Sequence, residues 1–162
     1  MRTALLALAL VATSQAAQVR PNFSGEWVLA KDRSSQTMKG AAVMSVSGLL
    51  GTKFTAIQDS KTLELVITVP NLEKPVRAVY NLDGSESGNL NPQGQGVPDE
   101  PIFSRVSWQE SRLVIQTRGT ILINGKPLES KRVIWIDREG LLTIERSSEG
   151  QDTTRSVYER AR

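Results

Sequence analysis

Along most of the chain apolar residues alternate with polar ones in short runs, and polar turn residues separate the runs. The clearest run is Thr62–Val69, where Leu63, Leu65, Ile67 and Val69 share one face and Thr62, Glu64, Val66 and Thr68 the other. A period of two, rich in β-branched residues, is the pattern of a strand with one buried face. Similar runs occupy about 53–58, 76–82, 102–108, 112–118, 128–136, 141–146 and 154–160, and a further strand fits Gly25–Ala30.

Between the runs lie turn signals. Gln58–Lys61 and Gln109–Arg112 are compact and polar, while Leu82-Asp83-Gly84-Ser85 and Ile123-Asn124-Gly125-Lys126 carry the Asp-Gly and Asn-Gly pairs of tight hairpins. Asp137-Arg138-Glu139-Gly140 is a turn of the same kind. Short strands joined by short turns predict an all-β fold, a single up-and-down antiparallel meander closed into a barrel of 8–10 strands. Closure is favoured because it leaves no unpaired edge. A two-sheet sandwich fits the same spacing.

Two segments break the rhythm. Residues 89–101 are rich in Pro and Gly and are expected to form a loop. Residues 31–51 contain the apolar stretch Ala41–Leu50, with glycines at Gly40, Gly48 and Gly51. Too apolar for a free loop and without strand periodicity, it reads either as a mobile lid over a cavity or as a short helix plugging the barrel end.

The first residues have a different character. Arg2 precedes the apolar run Ala4–Ala12 and then the small-residue site Ser14-Gln15-Ala16. That order predicts a secretory signal peptide over 1–16, which leaves one domain over 17–162 and sends the protein to the periplasm or the extracellular space. The run is well short of the ~20 residues a spanning helix needs. No later segment is long and apolar enough to span as a helix either, so an integral membrane protein is not expected.

Composition removes several chemistries. The chain has no His and no Cys, so neither a Ser-His-Asp nor a Cys-His catalytic arrangement can be assembled. A histidine- or thiolate-ligated zinc, haem or copper site is likewise out of reach, and no metal or cofactor is expected. The acidic residues fall mostly in turns (Asp59, Asp83, Glu86, Asp137, Glu139) or at outward strand positions (Glu64, Glu145). Solvated carboxylates keep ordinary pKa values and make poor general acids at neutral pH, so the chain does not read as an enzyme. Asp83–Ser87 alternates oxygen-bearing side chains but lacks the closing acidic residue of a calcium loop, and reads as a turn. The formal charge is +3, with Lys and Arg scattered among Asp and Glu rather than clustered. No basic patch with interleaved aromatics is present, so no nucleic-acid partner is expected.

Phe23-Ser24-Gly25-Glu26-Trp27 resembles the Gly-x-Trp opening of lipocalins and calycins. Residues 55–63, Tyr80–Gly84, Trp108–Ile115, Leu141–Arg146 and Val157–Arg160 extend the likeness, so that nearly all of residues 17–162 resembles the lipocalin-like proteins exported by bacteria. The lipocalin Thr-Asp-Tyr loop motif has no counterpart here. The resemblance implies a barrel in which Trp27 packs across the closed end, with Gly25 beside it and Arg160 lying over the ring, all three in structural roles. Cation–π attraction and planar stacking supply the physical reason.

Two functions are compatible with such a barrel. One is a binding protein holding a small hydrophobic or amphipathic molecule in its mouth. Candidate ligand contacts are then Ser130 and Arg132, on the face shared with Ile134 and Ile136, and Met44, Leu49 and Leu50 of the lid segment. An inward Arg132 would suit an acyl carboxylate. The opposite register, with Val133 and Trp135 inside and Arg132 on the surface, fits residues 128–136 as well. The other function is an envelope scaffold or protein-interaction module whose barrel is filled by its own side chains. Material exported from cells expressing the full chain is expected to begin at Ala17; intact-mass analysis showing Met1 retained would contradict the signal peptide.

Overall fold

A computed structural model describes residues 20–34, 50–68, 74–92, 98–123, 126–148 and 151–162. Ten strands carry the fold: β1 (Gly25–Leu29), β2 (Lys53–Gln58), β3 (Thr62–Ile67), β4 (Val76–Asn81), β5 (Ser87–Asn91), β6 (Glu100–Gln109), β7 (Arg112–Ile123), β8 (Lys126–Ile136), β9 (Leu142–Ser148) and β10 (Gln151–Arg160). The only helical element among the described residues is a 3-10 turn, Lys31–Arg33. All strands belong to one antiparallel sheet in the order β4-β3-β2-β1-β10-β9-β8-β7-β6-β5. First and last strands pair at its centre, with Trp27 opposite Arg160. One continuous sheet curled into a nearly closed barrel replaces the sandwich alternative.

The alternation sets the inside. Leu63, Leu65 and Ile67 of β3 are buried, as are Phe54 and Ala56 of β2 and Val76, Ala78 and Tyr80 of β4, in register with them. Turn residues work as their chemistry suggests. Asp59 Oδ1 accepts the backbone N–H groups of Lys61 and Thr62, at 2.7 and 2.6 Å, and these bonds hold its carboxyl below the usual range. Asp83 and Asp137 close their turns in the same way, each accepting the N–H two residues on. The Asn124-Gly125 turn lies outside the described residues.

The expectation of a loop over 89–101 fails at both ends. Ser87–Asn91 forms β5, and β6 begins at Glu100. β5 has low strand propensity and ladders only with β6 among the described residues. Its other side meets β4 through side chains. Val79 N donates to Asn89 Oδ1 at 2.8 Å, and Asn89 Nδ2 donates to Val79 O at 2.9 Å. Asn81 N donates to Ser87 Oγ at 2.8 Å, and Asn81 Nδ2 donates to Glu86 O at 3.2 Å. The Asn89 amide thus takes the place of a peptide group and satisfies an edge that the ladder leaves open.

One end of the barrel is shut by residues 20–24 and Trp27. The Trp27 ring is fully buried, and its Nε1 donates to Phe23 O at 2.9 Å. Arg160 lies over the ring, with Cζ 4.6 Å from its centroid, and Nη1 donates to Ser24 O at 2.8 Å. Gly25, at φ +143°, makes room for this guanidinium, because a Cβ there would collide with Arg160 Nη1. Gln58 ties the segment down: its Oε1 accepts Phe23 N and its Nε2 donates to Pro21 O. Phe23 stacks on Trp108, with ring centroids 6.1 Å apart.

Tyr158 of β10 packs edge-on against Phe54, centroids 5.0 Å apart, and its hydroxyl donates to Gly51 O at 3.1 Å. Burial pushes its phenol pKa up to about 12, against the opposing pull of a Ser156 hydrogen bond and the Arg132 charge.

Two outcomes follow from this packing. Trp27→Ala is expected to cost roughly 3–5 kcal/mol, lowering Tm by roughly 6–20 °C at about 2–4 °C per kcal/mol. An unchanged Tm would show that the ring does not close the barrel. For Tyr158 the folded-state pKa lies above the unfolded value of about 10. The stability that its protonated form confers is therefore complete below about pH 10 and declines as pH rises towards about 12. In a Tm series from pH 9 to 12, Tyr158→Phe should fall less steeply than wild type; parallel curves would contradict the assignment.

Candidate functional site

On β7–β10 polarity along the inward faces runs in one direction, whereas on β6 Ser104 lies between the buried Val106 and Ile102. Going from the closed end outward, β7 presents Leu113, Ile115 and Thr117; β8 presents Ile134, Arg132 and Ser130; β9 presents Leu142, Ile144, Arg146 and Ser148. β10 follows with Tyr158, Ser156 and Thr154. The register aligns these into rings around the wall. Arg132 pairs with Arg146 and Ile115, and Arg146 with Thr154. One row farther from the closed end, Ser87, Ser104, Thr117, Ser130 and Ser148 are successive cross-strand partners over five strands.

The apolar end is filled. Phe23, Leu50, Phe54, Ala56, Leu63, Leu65, Ile134, Leu142 and Ile144 enclose a space too small for a water molecule. Leu50, nominated as a lid contact, is 3% exposed and belongs to this packed end. The other lid candidates, Met44 and Leu49, lie outside the described residues.

Arg132 is 5% exposed, so the inward register is the one that forms. Its Nη1 donates to the hydroxyl of the fully buried Tyr80 at 3.3 Å. Val133 and Trp135 take the outer face. There Arg112 and Arg155 lie over the Trp135 ring, 4.7 and 5.8 Å from its centroid, and the register sets Thr143 and Val157 beside it. Stacked guanidinium groups let this ring sit on the outside at little cost. Ser130 is half-buried on the same inward face as Arg132.

The structure adds side chains that the sequence did not nominate. Half-buried Arg146 stands opposite Arg132; burial, and then the charge of Arg132, pull its guanidinium pKa below the ordinary value. Tyr80 and Tyr158 supply buried phenols. Ser104 and Thr117 share a hydrogen bond of 2.9 Å. The Ser148 hydroxyl is buried and makes no hydrogen bond with the described residues. The signal for Arg146, Ser104, Thr117 and Ser148 was the appearance of polar residues at inward positions along β6–β9, readable once the strands are in register. Chemically, the cluster offers a pair of guanidinium groups and a band of hydroxyls at inward positions, and it holds no described nucleophile–base pair.

A concavity of about 580 Å³ lies against β6–β9, lined by Glu86, Phe103, Arg105, Gln116, Arg118, Glu129, Lys131 and Ser147 and also by Thr117, Ser130 and Ser148 of the hydroxyl row. Charges of both signs meet there in solvent; Arg105, for example, sits 3.5 Å from Glu86. Exposed pairs of this kind are worth little.

No helix among the described residues is long and apolar enough to cross a membrane, and no group of His, Cys, Asp and Glu among them is placed to hold a metal ion.

No sequence-family profile matches the chain, and no curated protein matches it in sequence. Solved structures do match. Human cRBP IV superposes with a TM-score of 0.54 at 16% identity, over 87% of this chain and 99% of that one. A secretory abundant heat soluble (SAHS) protein from Ramazzottius varieornatus superposes with a TM-score of 0.55 at 11% identity, over 90% of this chain and 100% of that one. At such identities the likeness concerns the fold, and with the near-closed antiparallel meander it establishes that the chain has a lipocalin-like, calycin-type fold.

Proposed function

We propose that the chain is an exported binding protein that holds a small amphipathic molecule inside its barrel by an anionic group. The observation that carries this reading is Arg132: a guanidinium 5% exposed, set beside a second arginine on the barrel's inner wall. Planar guanidinium groups suit the two oxygens of a carboxylate or phosphate. Tyr80 fixes Arg132 from one side. Because the apolar end is filled, the ligand's place is the polar half. The order of residues in 1–16 supports export, and the lipocalin-like fold fits a binding role by analogy.

The scaffold reading draws on a different observation, the absence of water-sized space among the side chains of the apolar end. One comparison separates the two. Titration calorimetry with octanoate and with octanol should show binding of octanoate alone, and Arg132→Met should weaken it at least about tenfold. Equal behaviour of acid and alcohol would remove the anion site, and binding of neither would favour the scaffold.

A further inference from the structure

The filling of the closed end includes one side chain that does not belong to the barrel wall. Most residues around the space there stand on strands, among them Phe54, Leu63, Leu65, Ile134 and Leu142. Phe23 comes instead from residues 20–24, which lie outside every strand. It is almost fully buried and lines the same space. No backbone–backbone hydrogen bond joins residues 20–24 to the sheet among the described residues. Side chains hold them. Gln58 accepts from Phe23 N and donates to Pro21 O. Trp27 Nε1 donates to Phe23 O, and Arg160 Nη1 donates to Ser24 O. Ser24 Oγ accepts the backbone N–H of Gln58 at 2.9 Å and donates to its carbonyl oxygen at 3.3 Å.

A segment held in this way can leave without breaking a ladder, which is the condition for local opening. Gly25, at φ +143°, joins it to β1 and gives the joint backbone freedom. The plugged state also carries a cost. Trp108, on which Phe23 stacks and over which Arg20 lies, keeps its Nε1 buried with no hydrogen bond to the described residues. Opening lets water reach that N–H and so offsets part of the loss of the released bonds. Withdrawal of the phenyl ring vacates room for one six-membered ring, in the class of apolar cavities of about 150 Å³ that stay dry and take up benzene. The walls left behind are aliphatic and aromatic. They offer nothing to a charge and suit an uncharged ring.

We infer that residues 20–24 are a releasable plug, and that the space Phe23 vacates is a binding site for an uncharged aromatic molecule of the size of toluene. The ligand's ring takes the place of Phe23 among Phe54, Leu63, Leu65 and Ile134 and beside Trp108. Plug and ligand compete for one space, so the apparent affinity scales with the fraction of molecules whose plug is out. The site is distinct from Arg132 and its ligand carries no charge, so the anion-binding reading neither supports nor requires it.

Toluene titrated into the purified protein, followed by methyl 1H–13C correlations and by amide exchange, tests the inference. Methyl shifts should concentrate at Leu63, Leu65 and Ile134. The Phe23 amide, released from Gln58, should exchange at least about threefold faster at saturating toluene, while the Leu65 amide exchanges no faster. Gln58→Ala removes the side chain that ties Pro21 and Phe23 and should bind toluene at least about threefold more tightly than wild type. Phe23→Ala removes the competitor and should bind it more tightly still. Absence of binding by the wild type, including binding by Phe23→Ala alone, would show a fixed plug and overturn the inference. Toluene that binds but slows the wild-type Phe23 amide, or leaves it unchanged, would overturn it too, because the ring would not then enter in place of Phe23. Should Gln58→Ala fail to fold, the wild-type exchange decides alone.

Discussion

Keeping the Arg132 guanidinium inside a barrel is a demanding arrangement, because a desolvated charge is tolerable only where polar groups surround it. The rest of the inner wall is ordered around that requirement. Tyr80, buried on β4, reaches across the interior to accept from it. Hydroxyls occupy the next row on β5–β9. Many of the aliphatic residues, which could not solvate a cation, pack at the closed end with Trp27. Their burial stabilises the sheet, and the polar inward residues collect on β7–β10 around Arg132.

Closure of the sheet depends on two unlike joints. At one, β1 and β10 form an ordinary ladder, and Arg160 of β10 lies over Trp27 of β1. At the other, β4 and β5 meet through the Asn89 and Asn81 side chains and the Ser87 hydroxyl. The second joint has no ladder among the described residues and is held by side-chain hydrogen bonds. Ser87 belongs both to this seam and to the hydroxyl row.

Much of this was legible in the sequence, for definite reasons. Leu63, Leu65 and Ile67 announced their face because Thr62, Glu64 and Val66 opposite them lie at the surface. Gly25, Trp27 and Arg160 were found through a resemblance, and their contact has its own logic: only a residue without Cβ leaves space for the guanidinium over the indole. β5 was missed because Gly88, Asn89, Asn91 and Pro92 are poor strand formers, and its pairing with β4 comes from side chains that propensity does not register. Arg132 could not be assigned a face, since Val133 and Trp135 are as apolar as Ile134 and Ile136. The choice is settled by tertiary contacts, the stacking of Arg112 and Arg155 on Trp135 outside. Arg146 and the hydroxyl row emerged only from strand register. Individually, Ser104, Thr117, Ser130 and Ser148 look like ordinary strand residues.

Arginine side-chain resonances offer the most direct view of the central claim, because Arg132 and Arg146 face the interior while Arg105 and Arg118 face the outer concavity on the same strands. Nε–Hε correlations of uniformly 15N-labelled protein can be followed as octanoate is added. Shifts confined to Arg132 and Arg146, saturating together, are the expected result. Shifts at Arg105 and Arg118 with the interior pair unmoved would contradict an anion site inside the barrel.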